Sequence, residues 1–418
     1  MKLTVVGGGS TYTPELVDGI ARLRDRLPVS ELVLVDPDAT RLPLVGGVSA
    51  RIMAAYGHPA KVRWTTDLED GVEGAGAVLL QLRIGGQAAR ARDETWPLEC
   101  GCVGQETTGA GGLAKALRTV PVVLDIADTV RRLAAPDAWI IDFTNPVGIV
   151  TRALLDAGHR AVGLCNVAIG FQRRFASAAG VDPSRVALDH FGLNHLTWIR
   201  GVRIDGEEVL PQILAERAEE IAEDIELPVP LVQRLGVIPS YYLRYYYQHD
   251  VVVEELRGAQ TRGAAVADIE RRLLEMYADP TLDRKPDLLA ERGGAFYSEA
   301  AANLLASLVA GTGDVQVANV RNNGTMPFLA DDAVIEVPAL IGGDGAVPLP
   351  VAAVPPRYSG LISHVSAYEE VALEAALLGG RDRVFEALLA HPLIGQYDPA
   401  ERLTDLLLHE NKDYLAWI

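Results

Sequence analysis

The sequence predicts an α/β protein, with an N-terminal Rossmann-like, doubly wound parallel sheet followed by a mixed α+β domain. Three observations carry this. Short apolar runs such as Leu3–Val6, Leu32–Val35 and Ala77–Leu82 alternate with amphipathic helical stretches through the first 166 residues. The first run leads directly into Gly7-Gly8-Gly9 and then a helix start. From about residue 167 the alternation stops, which divides the chain into residues 1–166 and 167–418.

Each element has its own reason. Leu3–Val6 is too short and too β-branched for a helix, so it reads as a buried strand, broken by the glycines. Thr13 is expected to cap the next helix, with Pro14 at its first position, where a missing N–H does no harm. Leu16, Ile20 and Leu23 give that helix its core face. Leu32–Val35 is a second strand ending at Asp36, and Ala77–Leu82 is a third. Pro121 is expected to open a helix whose apolar set is Leu124, Ile126, Val130 and Leu133. Trp139–Phe143 is a strand stopped by Asn145-Pro146, and Ala161–Cys165 is another. Val186–Leu193 and Leu196–Val202 read as antiparallel strands. Residues 210–226 read as one acidic helix with Glu216, Glu219, Glu220 and Glu223 facing solvent. Pro348, Pro350, Pro355 and Pro356 mark a connector, followed by a helix over Ala367–Leu378.

Composition narrows the function. At 418 residues, 49% hydrophobic and 22% charged, the chain builds packed cores rather than disorder. Its 38 Lys and Arg stand against 56 Asp and Glu, a net charge of −18. That surface lacks the basic footprint for nucleic acid or an anionic membrane, so neither is an expected partner. Three cysteines, Cys100, Cys102 and Cys165, do not make a disulfide scaffold, and a reducing, cytoplasmic location is expected. No apolar run approaches the roughly 20 residues of a membrane helix, and the N-terminal stretch has no signal-peptide pattern.

The strand, Gly7-Gly8-Gly9-Ser10-Thr11 and helix together suit a dinucleotide. Glycines let the backbone approach a pyrophosphate, and the helix N-terminus offers N–H groups and a positive dipole. Asp36, at the end of the second strand, sits where a carboxylate binds ribose hydroxyls, which favours NAD over NADP. Tyr12 stands where the usual third glycine would be. Cys165 ends a strand, and His195 lies thirty residues on in Gly192-Leu193-Asn194-His195. One sulfur and one imidazole suit a transition metal with positions left open for substrate oxygens; a buried structural thiol and a core histidine are the plainer alternative. Tyr241, Tyr242, Tyr245, Tyr246 and Tyr247 cluster after Pro239-Ser240, and a tyrosine near a cation can act as a base. Arg83, just past a strand end, and Arg262 are placed for an anionic group or for surface ion pairs. Gly104–Gly112 reads as a glycine-rich loop lining a site.

These stretches resemble glycoside hydrolase family 4, and within it the members acting on 6-phospho-β-glucosides. The resemblance is carried by Val6–Leu16, Arg83-Ile84-Gly85-Gly86, Gly104–Leu113, Asn145-Pro146, Gly163-Leu164-Cys165-Asn166, Gly192–His195 and Tyr242–Tyr246. Arg321–Gly324 and Asn411–Tyr414 extend it to nearly the whole chain. It implies NAD bound at Gly7, Gly9, Ser10, Thr11 and Asp36, and a divalent metal, usually Mn2+, held by Cys165 and His195. It implies hydrolysis by C3 oxidation, C2 deprotonation, elimination, water addition and re-reduction, an exception to the two-carboxylate scheme. Tyr242 would be the base, with Tyr241 beside it as the alternative. Arg83, Asn145, Asn166 and Arg262 would bind substrate, a phosphorylated disaccharide or aryl glucoside. Residues 167–418 would complete the metal site and assemble a homodimer or homotetramer. Asn166 after Cys165 matches the β-acting members, whereas Ala168 stands where those usually carry proline. The rival readings are a family member for α-glycosides or unphosphorylated sugars, an ordinary NAD-dependent hydroxy-acid dehydrogenase, and a non-catalytic NAD sensor.

Overall fold

The computed structural model describes every residue of the chain except Ala295. Six parallel strands come first: β1 (Lys2–Val6), β2 (Glu31–Val35), β3 (Lys61–Thr65), β4 (Ala77–Leu80), β5 (Trp139–Asp142) and β6 (Ala161–Gly163). They lie in the order β3-β2-β1-β4-β5-β6. The direction of winding reverses between β1 and β4, and ligands of doubly wound sheets bind outside the carboxyl ends at that point. β4 and β5 are buried throughout, as strands covered on both faces must be. β3 has no counterpart among the strands expected from sequence. It is the sheet edge, and Lys61 and Arg63 interrupt its apolar pattern there.

In the second half, β7 (Val186–Leu193) and β8 (Leu196–Ile204) form an antiparallel hairpin, flanked by the short β9 (Glu207–Glu208) and β10 (Ile238–Pro239). The chain then returns to the first sheet. β11 (Asp314–Arg321) lies antiparallel beside β6, and β12 (Val334–Gly342) and β13 (Gly345–Pro348) complete nine strands. The main core runs through this sheet and its helices, while a smaller one, around Phe175, Ile199, Ile221 and Ile238, sits under the hairpin.

Several local expectations give way to packing. Thr13 is the first helical residue rather than the cap, and its hydroxyl donates to the Gly8 carbonyl, closing the glycine loop. Pro121 lies inside a long helix, Gly109–Leu133; burial of Leu113, Leu117 and Val123 outweighs the one hydrogen bond a proline forgoes. That helix takes in Gly109–Gly112, so only 104–108 remain a loop. Gly111 and Gly112 serve close approach: a Cβ would lie 2.3 Å from the Gln105 carbonyl oxygen and 2.7 Å from the Thr107 carbonyl carbon. The acidic segment splits into helices Leu210–Glu216 and Ala218–Asp224, and the later helix begins at Pro356, well before Ala367.

The β7–β8 turn is tightly specified. Gly192 has φ +138°, and a Cβ there would meet the Leu196 carbonyl oxygen at 2.1 Å. Gly192→Ala is expected to cost about 1–3 kcal/mol, read as a lower midpoint in urea denaturation. An unchanged midpoint would show the turn to be more adaptable than its geometry implies.

Candidate active site

A cleft of about 790 Å3 opens over the carboxyl ends of β1, β4 and β5. Gly7, Gly9 and Ser10 follow β1, Asp36 follows β2, Arg83 follows β4 and Asn145 follows β5, and all line it. Asn166, after β6, also lines it, as do Tyr242 and Arg262 from the second half of the chain. Cys165 is buried and borders an adjoining cavity of about 1060 Å3, which shares Tyr12, Gly293 and Gly294 with the cleft. Thr11 is fully buried and turned away: its hydroxyl accepts from Arg292 Nε at 2.9 Å.

The glycine loop is fitted to its strands. A Cβ on Gly7 would lie 2.6 Å from the Gln81 carbonyl oxygen, and one on Gly9 would lie 2.7 Å from Asp36 Cγ. Asp36 accepts the Gly9 N–H at 2.9 Å and the Asp38 N–H at 3.0 Å. A carboxylate has about four acceptor sites, so capacity remains for ribose hydroxyls. The loop and Asp36 therefore fit a dinucleotide.

His195 occupies the two-residue β7–β8 turn with φ +60°, unusual for a residue other than glycine and more common at functional sites. Its ring stacks on Tyr242, centroids 3.7 Å apart and planes 13° apart. Burial pushes its pKa down to about 4, so the imidazole is neutral and able to ligate. Cys165 receives the backbone N–H groups of Asn166 and Val167 and the Tyr297 hydroxyl, yet burial and then Glu336 push the bare thiol upward. Tyr242 is raised by burial, then by Tyr241, whose ring centroid is 4.1 Å away, and by Cys165. Among the described residues no group of three or more His, Cys, Asp or Glu is placed to hold a metal ion. A thiol and a neutral imidazole suit a divalent ion left open to substrate oxygens, and Asn145 Oδ1, on a residue that lines the cleft, is buried and unpartnered.

Positive charge collects on the other wall. Glu106 is shared by Lys115 Nζ at 2.6 Å, Arg90 Nε at 3.1 Å and Arg83. Burial alone would raise Glu106, but Arg83, Lys115 and Arg90 outweigh it and hold its carboxyl well below the usual range. Lys115 is pushed down to about 7, by burial first and then by Arg83. Arg292 stands between the glycine loop and Glu270, 3.1 Å from that carboxylate, and is lowered by burial, with Arg83 a further repulsive contribution. Arg83 thus repels both Lys115 and Arg292, a strain that a bound anion would relieve. Arg262 donates to the Glu291 carbonyl at 2.7 Å across the cleft mouth. Glu106, Lys115, Arg292 and Thr107, which touches His195 at 3.1 Å, are site residues that sequence reasoning did not single out. The glycine-rich stretch 104–112 was the signal for Glu106 and Thr107; Arg292 had none.

Fold and cleft define an α/β protein of the dinucleotide-binding type, with its site at the sheet's switch point and a second domain closing over it. The family 4 glycosyl hydrolase model matches residues 2–181, and the family 4 glycosyl hydrolase C-terminal domain matches residues 190–394. The chain belongs to glycoside hydrolase family 4. It is 39% identical to the probable 6-phospho-beta-glucosidase of Bacillus subtilis (strain 168), over 99% of this chain and 97% of that one. It is 35% identical to the 6-phospho-beta-glucosidase of Escherichia coli (strain K12), over 98% and 95%. The 6-phospho-beta glucosidase of Thermotoga maritima, solved with manganese, NAD+ and glucose-6-phosphate, superposes with a TM-score of 0.93 at 33% identity over 99% of both chains.

Glu106→Gln would leave Arg83 and the buried Lys115 without their shared carboxylate, while Arg90 keeps its pair with Glu94. It is expected to cost about 3–5 kcal/mol, read by urea denaturation at neutral pH. A loss below about 1 kcal/mol, the scale of an exposed pair, would mean that water already screens the cluster.

Proposed function

We propose that this chain hydrolyses 6-phospho-β-glucosides, using NAD and a divalent metal ion, Mn2+ by preference. One observation carries the reading: in a family 4 chain, the glycine loop, Arg83, Asn145 and Asn166 share one cleft with Tyr242, which stacks on His195. The relatives' names and the sugar phosphate, NAD and manganese in the Thermotoga structure support it. No helix among the described residues is long and apolar enough to cross a membrane. We assign cofactor binding to residues 1–166, and metal completion, substrate binding and homodimer or homotetramer assembly to 167–418, in a cytoplasmic enzyme.

Gly7, Gly9 and Ser10 would hold the NAD pyrophosphate, with Thr11 behind them and Asp36 on the ribose. Cys165 and His195 would hold the metal. When bound, NAD supplies a hydride acceptor at C3 of the sugar, and the metal supplies positive charge that acidifies the C2 proton and draws Tyr242 toward its anionic form. We assign Tyr242 as the base because its ring stacks on His195; burial raises its bare phenol, so loss of its proton would depend on the positive charge of the bound metal. Asn145 Oδ1, buried and unpartnered, would accept a sugar hydroxyl. Arg83 and Arg262 would take the 6-phosphate, Arg83 from the repelling cation cluster that favours an anion. Loss of the aglycone by elimination, addition of water at C1 and return of the hydride close the cycle with no net use of NAD.

The test is p-nitrophenol release from p-nitrophenyl β-glucoside 6-phosphate in reducing buffer, with and without NAD and Mn2+, while NADH absorbance is followed. Release is expected only with both, without NADH accumulation, and chelation should abolish it. Net NADH formation from a hydroxy acid would turn the assignment to a dehydrogenase, and cleavage of only the α-anomer or the unphosphorylated sugar would overturn the specificity.

Tyr242→Phe should lower kcat by about 10²–10⁴ and stop exchange of the C2 proton with D2O, while Tyr241→Phe keeps the exchange. The reverse pattern would move the base to Tyr241. Arg262→Ala should raise KM mainly for phosphorylated substrates; an equal rise for unphosphorylated glucosides would remove Arg262 from the phosphate site.

A further inference from the structure

The loop before the Gly109–Leu133 helix contains a chain of hydrogen bonds whose directions follow from the atoms alone. The side-chain amide of Gln105 presents one atom to the backbone N–H groups of Thr107 and Thr108, the latter at 3.1 Å. Backbone amides only donate, so that atom is the oxygen, Oε1. The Thr107 hydroxyl lies 2.8 Å from the same oxygen, which has no hydrogen to give. The hydroxyl must therefore donate, and its single proton is spent there. Thr107 Oγ1 also lies 3.1 Å from His195 Nδ1, where it can only accept. Nδ1 thus carries the proton of the neutral ring, and Nε2 is left with a bare lone pair. A free histidine side chain favours the opposite tautomer, with the proton on Nε2.

We propose that Thr107 is a positioning residue for metal binding: the Gln105–Thr107–His195 relay fixes His195 in the Nδ1–H tautomer and so readies Nε2 as a metal ligand. The inference rests on the reading of His195 as a ligand and adds what makes it competent. Nothing in the relay depends on a bound ion, so the ring is set before the metal arrives. Rigidity comes from the glycines: with no room for a Cβ at Gly111 or Gly112, the loop carrying Gln105 and Thr107 lies directly on the helix start. This also gives a role to a glycine-rich stretch that the cofactor and substrate contacts leave unexplained. Partners that orient a metal-bound histidine through its second nitrogen typically govern affinity by about 10–100-fold.

The experiment uses the full-length apo protein with 15N-labelled histidine. Long-range 1H–15N correlations report the tautomer, with His195 assigned from the spectrum of His195→Gln. The wild type should show a protonated Nδ1 and an unprotonated Nε2. Thr107→Val, of similar volume, should move the population toward Nε2–H, and Thr107→Ser should restore it. In parallel, Mn2+ binding without NAD or sugar is followed by electron paramagnetic resonance of the free ion. Thr107→Val should weaken it about 10–100-fold and Thr107→Ser should recover it, with NAD affinity unchanged in both. An Nε2–H ring in the apo wild type overturns the proposal without any variant, so a misfolded Thr107→Val does not shelter it. Unaltered Mn2+ affinity in folded Thr107→Val also overturns it. An Nδ1–H ring in a protein whose Mn2+ binding is indifferent to Cys165→Ala would refute the metal reading itself, a result distinct from a failed relay.

Discussion

Glu336 sits fully buried on β12, where its carboxylate joins three strands and a turn. It accepts from Asn194 Nδ2 at 2.9 Å and Asn319 Nδ2 at 3.2 Å, and lies 3.1 Å from His190 Nε2. His190 belongs to β7, Asn194 to the β7–β8 turn and Asn319 to β11, the strand that pairs with β6 just before Cys165. One buried charge thus fixes the turn bearing His195 relative to the strand end bearing Cys165. Burial alone would push Glu336 upward; His190 and Asn194 outweigh it and keep it ionised. A carboxylate satisfied in this way is a rigid link, because losing any partner exposes an uncompensated charge in a low-dielectric interior.

The same carboxylate organises the charge of the site. It raises the Cys165 thiol and supports a proton on His195, so it supplies negative potential to both. Negative potential beneath a thiol and an imidazole favours a cation above them. Elsewhere in the site Glu106 pairs with Arg83, Arg90 and Lys115, Glu94 also pairs with Arg90, and Glu270 pairs with Arg292. Arg83, Lys115 and Arg292 line the cleft itself, while the negative potential of Glu336 acts on Cys165, at the adjoining cavity, and on His195.

What sequence could show follows from where each interaction lies along the chain. The ends of β1, β2, β4 and β5 were legible because a strand's apolar run, its terminal residue and the following turn are contiguous: Gly7, Asp36, Arg83 and Asn145 each announce themselves. Cys165 and His195 were visible as candidates, but their pairing as metal ligands rests on the resemblance, because thirty residues separate them. β11, β12 and β13 were not recognised as part of the first sheet: β12 and β13 pair with their immediate predecessors, but the link of β11 to β6, and of Glu336 to His190, spans more than a hundred residues. Arg292 was silent because Ser10 and Thr11 lie more than 280 residues upstream and Glu270 belongs to a different helix. Gly109–Gly112 misled in an informative way. Glycine there signals close packing of backbone on backbone, which composition cannot distinguish from a loop.

That distinction bears on how the site works. A flexible glycine-rich lid would have to become ordered each time a ligand binds, at about 1–2 kcal/mol per residue fixed. The segment instead lies against the start of a long buried helix, and its side-chain hydroxyls and amides are already committed to one another. The second wall is equally preset: Arg83 is held by Glu106, and Arg292 by Glu270 and Thr11. Chemistry of the proposed kind, which takes a hydride from one sugar carbon and a proton from its neighbour, would need both acceptors aligned at once. A site whose imidazole and cations are already held by buried partners would meet that demand before substrate arrives.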